Sequence, residues 1–315
     1  MAIETLIHHA PSGAALNVHL CEPTAPPRAV VQISHGLAEH AGRYRRFMEA
    51  LAAHGFFSVA HDHRGHGATR APDAPPGRFA AKGGADAVLA DVLAIHDLVA
   101  ARHPGVPVIV FGHSMGGLIA LNFVLRHAGR VHAAAIWNAN FTAGLLGHLA
   151  RTILAWERFR LGSDVPSRLL PRLTFQAWGA QVPNAQTPFG WLSRDETEVA
   201  KYVADPLCGW DASVSLWQDL FALIFSGAEN RNFDRVTRDM PFQLIGGGDD
   251  PATSKGQSVT ALERRLRQMG FQSVETLIYD GTRHETLNEL NRDEATGDFI
   301  AWAHRVSAPR AGPDL

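Results

Sequence analysis

Hydrophobic positions along the chain follow two rhythms that take turns. Short, nearly continuous apolar runs at residues 29–33, 56–60, 108–111 and 131–137 have the length and β-branched content of strands buried on both faces. Between them the apolar positions recur at helical spacing: Phe47, Ala50 and Leu51 within 44–54, and Val88, Val92, Ile95 and Val99 within 85–101. Residues 16–21 alternate apolar and polar, the sign of a half-buried strand, and the proline-rich CEPTAPPR breaks it. Residues 72–84 are loop by composition. Strand followed by helix, repeated from residue 29 onward, predicts an α/β fold: a mostly parallel central sheet flanked by helices.

The alternation stops between about 140 and 226, where no strand pattern is visible and five of the seven tryptophans gather: Trp156, Trp178, Trp191, Trp210 and Trp217. Leu145, Leu149, Ile153 and Trp156 share one predicted helical face, with Arg151, Arg158 and Arg160 close by. This reads as a helical insertion long enough to cover the strand ends. The βα pattern resumes with a strand at 241–245, a helix at 261–269, a strand at 274–279 and a closing helix at 299–306. The expected division is therefore a core at 1–139, a helical cap or lid at 140–228, and the second part of the core at 229–315.

Composition narrows the class of protein. The chain has 315 residues, 46% hydrophobic and 19% charged, with a formal net charge of −2. That balance offers no basic stripe for nucleic acid, and no apolar run approaches a membrane span. The N-terminus lacks the basic start and apolar segment of a leader, so a cytoplasmic location is expected. Cys21 and Cys208 are the only cysteines, too few and too far apart for a disulfide framework or a thiolate zinc site, and both are read as packing residues. No cofactor is expected.

The chemistry centres on residues 108–120, VIVFGHSMGGLIA. A strand stops at Gly112, Ser114 stands at the apex of a tight turn, and a helix begins at once, the arrangement of a nucleophile elbow. Gly112 and Gly116 leave room for the chain to pass closely, and His113 fills the position between. The backbone N–H of Met115 would sit at the helix N-terminus, where developing negative charge is favoured. A second strand ends in His35-Gly36-Leu37, and the N–H of Leu37 is a candidate second oxyanion donor; an ordinary strand-to-helix loop is the alternative. His61, His63 and His66 with Asp62 invite a metal-dependent hydrolase reading, but Gly65 stands where an H-x-H-x-D-H site needs its aspartate. The two glycines there suggest a tight loop fixed by Asp62 and Arg64.

An acid and a histidine follow in the expected places. Asp249 and Asp250 lie just past the strand at 241–245, and His284 just past the strand at 274–279. Parallel strands end on one side, so both can reach a serine at that sheet edge. Together, His35-Gly36, Asp62-x-Arg64-Gly65-His66-Gly67, Gly112-His113-Ser114-Met115-Gly116-Gly117, Gly248-Asp249-Asp250-Pro251 and Arg283-His284-Glu285 resemble the monoacylglycerol lipase and lysophospholipase-like group of the α/β-hydrolases, which is serine aminopeptidase S33-like. Within the insertion, the stretches at 191–195 and 202–208 resemble its bacterial members. The resemblance runs from about Val18 to the last helix.

It implies Ser114 as nucleophile, His284 as general base and then acid, and Asp250 as the group holding the imidazole. Asp250 is preferred to Asp249 because the family's acid lies three residues after the glycine that ends the strand, here Gly247, and because Pro251 follows. The implied substrate is an ester of a single-acyl lipid, a monoacylglycerol or lysophospholipid. A short- to medium-chain carboxylesterase is the nearest alternative, and a non-catalytic binding protein on the same fold is a remoter one. Trp137, Leu145, Trp156, Trp178 and Trp191 are the candidate pocket residues. Transient contact of the Arg151–Arg160 stretch with a membrane surface is the corresponding expectation, set against an ordinary solvated face.

Overall fold

A computed structural model describes residues 2–142 and 144–308. Its strands are β1 (Ile3–His9), β2 (Ala15–Cys21), β3 (Val30–Ser34), β4 (Phe57–His61), β5 (Val108–His113), β6 (Ala133–Trp137), β7 (Phe242–Gly247) and β8 (Val274–Tyr279). They form one sheet in the order β1-β2-β4-β3-β5-β6-β7-β8. The strands from β4 to β8 in this order pair in parallel, whereas β2 joins β1 and β4 antiparallel. The chain is thus an α/β protein with a mostly parallel sheet. β1 carries no clean alternation and escapes a periodicity reading, because as an edge strand it is half exposed along its whole length.

The helices are α1 (Arg45–Ala53), α2 (Gly84–Arg102), α3 (Met115–His127), α4 (Leu145–Leu161), α5 (Leu170–Leu173), α6 (Phe175–Gly179), α7 (Glu196–Ala204), α8 (Val214–Ala228), α9 (Gln257–Gln268) and α10 (Arg292–Ser307). β3 to β6 are buried at every position, so each strand contributes to a core on both faces. On one face Phe47 of α1, Phe111 of β5, Trp137 of β6 and Phe299 of α10 pack ring against ring at 5.0–6.4 Å. Each such ring contributes roughly 2–3 kcal/mol of burial. On the other face α2, α3 and α8 close a second core around Ile119, Phe123 and Leu220.

Between β6 and β7 the described chain is helical, and it is tied to the layer beneath it. Asp219 of α8 accepts backbone hydrogen bonds from Gly84 and Ala85 at the start of α2. Glu157 of α4 is fully buried and accepts hydrogen bonds from Ser167 Oγ (2.6 Å), Arg168 N (2.9 Å) and Leu169 N (3.1 Å). This buried carboxylate also explains how α4 is turned. The expected apolar face of Leu145, Leu149, Ile153 and Trp156 is only partly the inward one: Leu154 and Glu157 are fully buried and Ile153 packs against the core, while Leu145, Leu149 and Trp156 are 87%, 55% and 50% exposed. A charged side chain that a turn requires on the inside is invisible to a count of hydrophobic positions. Residues 309–315, the end of the second core segment expected from the sequence, lie outside the described residues.

Candidate active site

The elbow forms where β5 runs into α3. Ser114 adopts φ 55° and ψ −119°, a conformation that costs a non-glycine residue about 1–3 kcal/mol and that the surrounding packing must enforce. Backbone crowding explains the flanking glycines. A Cβ on Gly112 would come within 2.1 Å of the Gly116 carbonyl oxygen, and one on Gly116 within 2.0 Å of the Ser34 carbonyl oxygen. Any side chain at either position would push the serine out of place.

The structure brings the serine, histidine and acid together. His284 Nε2 lies 2.9 Å from Ser114 Oγ, and His284 Nδ1 lies 3.0 Å from each oxygen of Asp250. Asp250 also accepts hydrogen bonds from Asn138 Nδ2 (3.1 Å), Thr253 Oγ1 (2.8 Å) and the Ala252 N–H (2.9 Å). Burial acts to raise the Asp250 carboxyl, but the neighbouring imidazole and these donors outweigh it and hold the group below its ordinary value. Asp249, its sequence neighbour, points to solvent. Because Asp250 is an acceptor, the Nδ1 proton is fixed on its side of the ring, which leaves Nε2 free to accept from Ser114.

Leu37 and Met115 border the same cavity as Ser114 and His284. The loop bearing Leu37 is held from both sides. His35 is completely buried; its Nδ1 donates to the Gly36 carbonyl at 2.8 Å and its Nε2 accepts the His63 N–H at 2.9 Å. Gly36 in turn donates its N–H to Glu39 Oε1. Burial opposes the charge of Glu39, yet Arg43 (2.6 Å) and His113 keep its carboxyl well below the usual range. Arg43 also forms a two-pronged pair with Glu285, and His113 Nε2 donates to the His284 carbonyl at 2.9 Å. Burial pulls the His113 imidazole down, but Glu39 outweighs it and raises its pKa. Glu39 and Arg43 escape the sequence reading. The signal was an acid and a base four residues apart directly after the His35-Gly36-Leu37 loop.

The histidines of the 61–66 stretch pack as core. His61 and His66 are pushed down to about 3 by burial and stay neutral, and the His63 imidazole meets His61 edge to face at 4.8 Å. Asp62 accepts from the N–H groups of Ala41 and Ala68 and from Asn17, so the carboxylate that a metal site would use fixes the loop instead. Arg64 pairs with Asp91 at 2.7 Å, as the tight-loop reading anticipates.

A cavity of about 560 Å³ opens beside Ser114, walled mainly by apolar side chains of the helical segment. Of the five candidate pocket residues, Trp178 and Trp191 line it, and Trp191 packs against the His284 ring at 5.0 Å. Trp137 does not. It is buried in the aromatic core on the sheet face with α1 and α10, and its Nε1 donates to Gln243. Leu145 and Trp156 also fall outside the lining because α4 turns them to solvent, and its inward residues Ala150 and Ile153 take their place.

Comparison with known proteins places the chain. The family model described as serine aminopeptidase, S33, matches residues 25–291. The chain belongs to this family of α/β-hydrolases. The S33-family chain is 29% identical to human monoglyceride lipase over 272 residues, covering 85% of this chain and 79% of the relative. It is 25% identical to the monoacylglycerol lipase of Mycolicibacterium smegmatis over 280 residues, covering 89% of each. A crystal structure of a thermostable carboxyl esterase from Bacillus coagulans superimposes with a TM-score of 0.86 at 23% identity, covering 98% of this chain and 100% of that one. This S33-family protein is a carboxylic ester hydrolase of the monoacylglycerol lipase-like group.

Proposed function

We propose that this ester hydrolase cleaves single-acyl lipids, monoacylglycerols or lysophospholipids, through an acyl-enzyme on Ser114. The observation that carries the reading is the placement of Ser114 and His284 at one end of a largely apolar cavity whose volume lies in the range of small-molecule sites. Residues 140–228 act as the cap that supplies most of its apolar wall. An acyl chain lies along Leu118, Ile153, Leu170, Phe175 and Trp217, while Glu39, His113, Tyr202 and Glu285, bonded to one another's neighbours, give the lining a polar patch suited to a hydroxyl-bearing head group. The human and mycobacterial relatives carry names that specify the same substrate class.

In the proposed reaction His284 Nε2 takes the Ser114 proton as Oγ attacks the ester carbonyl. Asp250 stabilises the resulting imidazolium, and the amides of Leu37 and Met115 hold the oxyanion, each worth about 10²- to 10³-fold in rate. His284 then protonates the departing alcohol. Water resolves the acyl-enzyme by the same base.

The test is a panel of monoacylglycerols, lysophospholipids and p-nitrophenyl esters of graded length, run with wild type and Ser114→Ala. Affinity should rise by roughly 0.8 kcal/mol per buried methylene until the wall is reached. Peak activity on acetyl or butyryl esters with none on monoacylglycerol would assign a short-chain carboxylesterase instead, and Ser114→Ala activity near wild type would remove the serine mechanism altogether.

A second reading concerns how the substrate arrives. Leu145, Phe159 and Trp156 of α4 project outward at 87%, 92% and 50% exposure, with the Arg160 guanidinium 5.2 Å from the Trp156 ring. Apolar side chains interleaved with arginine suit a transient contact with an anionic membrane surface. Among the described residues no helix is long and apolar enough to cross a membrane. Phe159→Asp should reduce co-sedimentation with anionic vesicles while leaving hydrolysis of a water-soluble ester unchanged; equal sedimentation would count against the contact.

A further inference from the structure

One cluster of side chains outside the serine site carries ligand chemistry that ester hydrolysis does not use. His40 follows the loop that bears Leu37, and Asp205 and Cys208 stand in the turn after α7. His40 Nε2 is 3.0 Å from Asp205 Oδ2, and the ligand atoms of His40, Asp205 and Cys208 all lie within 4.8 Å of one another. We propose that these three residues bind a divalent cation of the zinc class, with water as the fourth ligand, and so clasp the helical segment to the loop of Leu37.

The donor set decides the class of ion. Imidazole, carboxylate and thiolate together favour zinc over magnesium or calcium, which take oxygen ligands. Bond lengths of about 2.0–2.3 Å in a tetrahedron set the ligand atoms roughly 3.3–3.7 Å apart. The present spacings, 3.0 Å between His40 Nε2 and Asp205 Oδ2 and at most 4.8 Å for any pair, bracket that range.

Local structure presents the donors. Asp205 Oδ1 accepts the Leu207 N–H at 2.8 Å and the Asp205 carbonyl accepts the Cys208 N–H at 3.0 Å, so one tight turn fixes both residues and leaves Oδ2 facing His40. The His40 ring is seated over Gly42, where a Cβ would come within 2.9 Å of it. The His40 and Asp205 side chains keep 18% and 31% exposure, which gives ion and water a route in. Arg43, whose charge is felt by both Asp205 and Cys208, is already paired with Glu39 and Glu285. Binding would release the Cys208 thiol proton to solvent, so affinity should fall as pH falls.

The clasp would reinforce existing ties. Tyr202 Oη and the Gly209 N–H both donate to the Ala38 carbonyl, at 3.0 and 2.9 Å, next to Leu37. An ion two residues beyond Ala38 would tether the same loop to the same segment.

The experiment titrates zinc and cobalt(II) into the full chain, freed of any histidine tag and stripped with a chelator, beside Cys208→Ser, His40→Ala and Asp205→Asn. Expected for wild type are one ion per chain, a thiolate-to-cobalt charge-transfer band, a melting temperature raised by a few degrees at saturation, and at least tenfold slower maleimide labelling of Cys208. Cys21 is fully buried and gives little background. Each variant should bind at least tenfold more weakly, and Cys208→Ser should lose the charge-transfer band. Labelling unaffected by zinc, or Cys208→Ser binding cobalt as wild type does, would overturn the proposal by assigning any bound ion to other histidines.

Discussion

Replacing Asp250 with Asn tests the orientation of His284 more sharply than removing the serine does. The carboxylate accepts from His284 Nδ1, Asn138, Thr253 and the Ala252 N–H, and it donates nothing. An asparagine has a single acceptor oxygen for four donors. Asn138 and Thr253, which both bond Oδ2, hold that oxygen, and the amide NH₂ takes the place of Oδ1, where it loses the Ala252 N–H and faces His284 Nδ1, which must then become an acceptor. The ring proton moves to Nε2, and the Ser114 hydroxyl loses the base that lies 2.9 Å away. A tautomer fixed the wrong way costs about 10⁴-fold in kcat in serine proteases. Here a loss of about 10³- to 10⁴-fold is expected, or about 4–5.5 kcal/mol of transition-state stabilisation. KM should change little, since Asp250 does not border the acyl cavity. The assay is steady-state hydrolysis of a medium-chain p-nitrophenyl ester, with melting curves to verify folding. Asp249→Asn is the control, and its exposed side chain predicts activity within twofold of wild type. An Asp250→Asn enzyme keeping more than a tenth of wild-type kcat, or an Asp249→Asn enzyme more damaged than it, would refute this assignment.

Gly112→Ala places a Cβ 2.1 Å from the Gly116 carbonyl oxygen, so stability should drop by about 3 kcal/mol and the serine should lose reactivity toward a fluorophosphonate probe. Unchanged labelling would show that the elbow can relax. Glu39→Gln keeps the shape but removes the charge facing Arg43 and His113, which predicts about 2 kcal/mol of lost stability in urea denaturation together with a lower kcat. An unaltered midpoint would mean that Arg43 is satisfied by Glu285 alone. Burial pushes the Asp219 carboxyl up to about 6, above its unfolded value of 3.8. An acid raised on folding favours the native state only while protonated, so this group's contribution declines as pH climbs from about 4 to 6. Discounted for partial exposure, the effect is about 1–2 kcal/mol, and Asp219→Asn should remove it; identical pH slopes of melting temperature would rule it out.

Chain order carries the fold and the positions of the candidate site. Strand-length apolar runs alternating with helical periodicity specify a parallel sheet, because each strand must bury both faces and each helix one. Parallel strands end on one edge, so the places for Ser114, Asp250 and His284 follow from where β5, β7 and β8 stop. The preference for Asp250 over Asp249 rests on the resemblance, since spacing by itself does not say which of two adjacent loop residues is inside; in the structure Asp250 is buried against His284 and Asp249 is exposed. Local pattern also misled where a long-range requirement intervened. Trp137 reads like a pocket residue at a strand end, yet its ring points into the aromatic core against Phe47, Phe111 and Phe299. The hydrophobic spacing of α4 favours a face whose Leu145 and Trp156 are turned outward where Glu157 is buried. The buried ion network of Glu39, Arg43 and Glu285 joins residues 242 positions apart, a pairing no local spacing encodes. Short-range geometry, set by backbone sterics and periodicity, was written in the chain; which side of each element meets which neighbour depended on the whole packed structure.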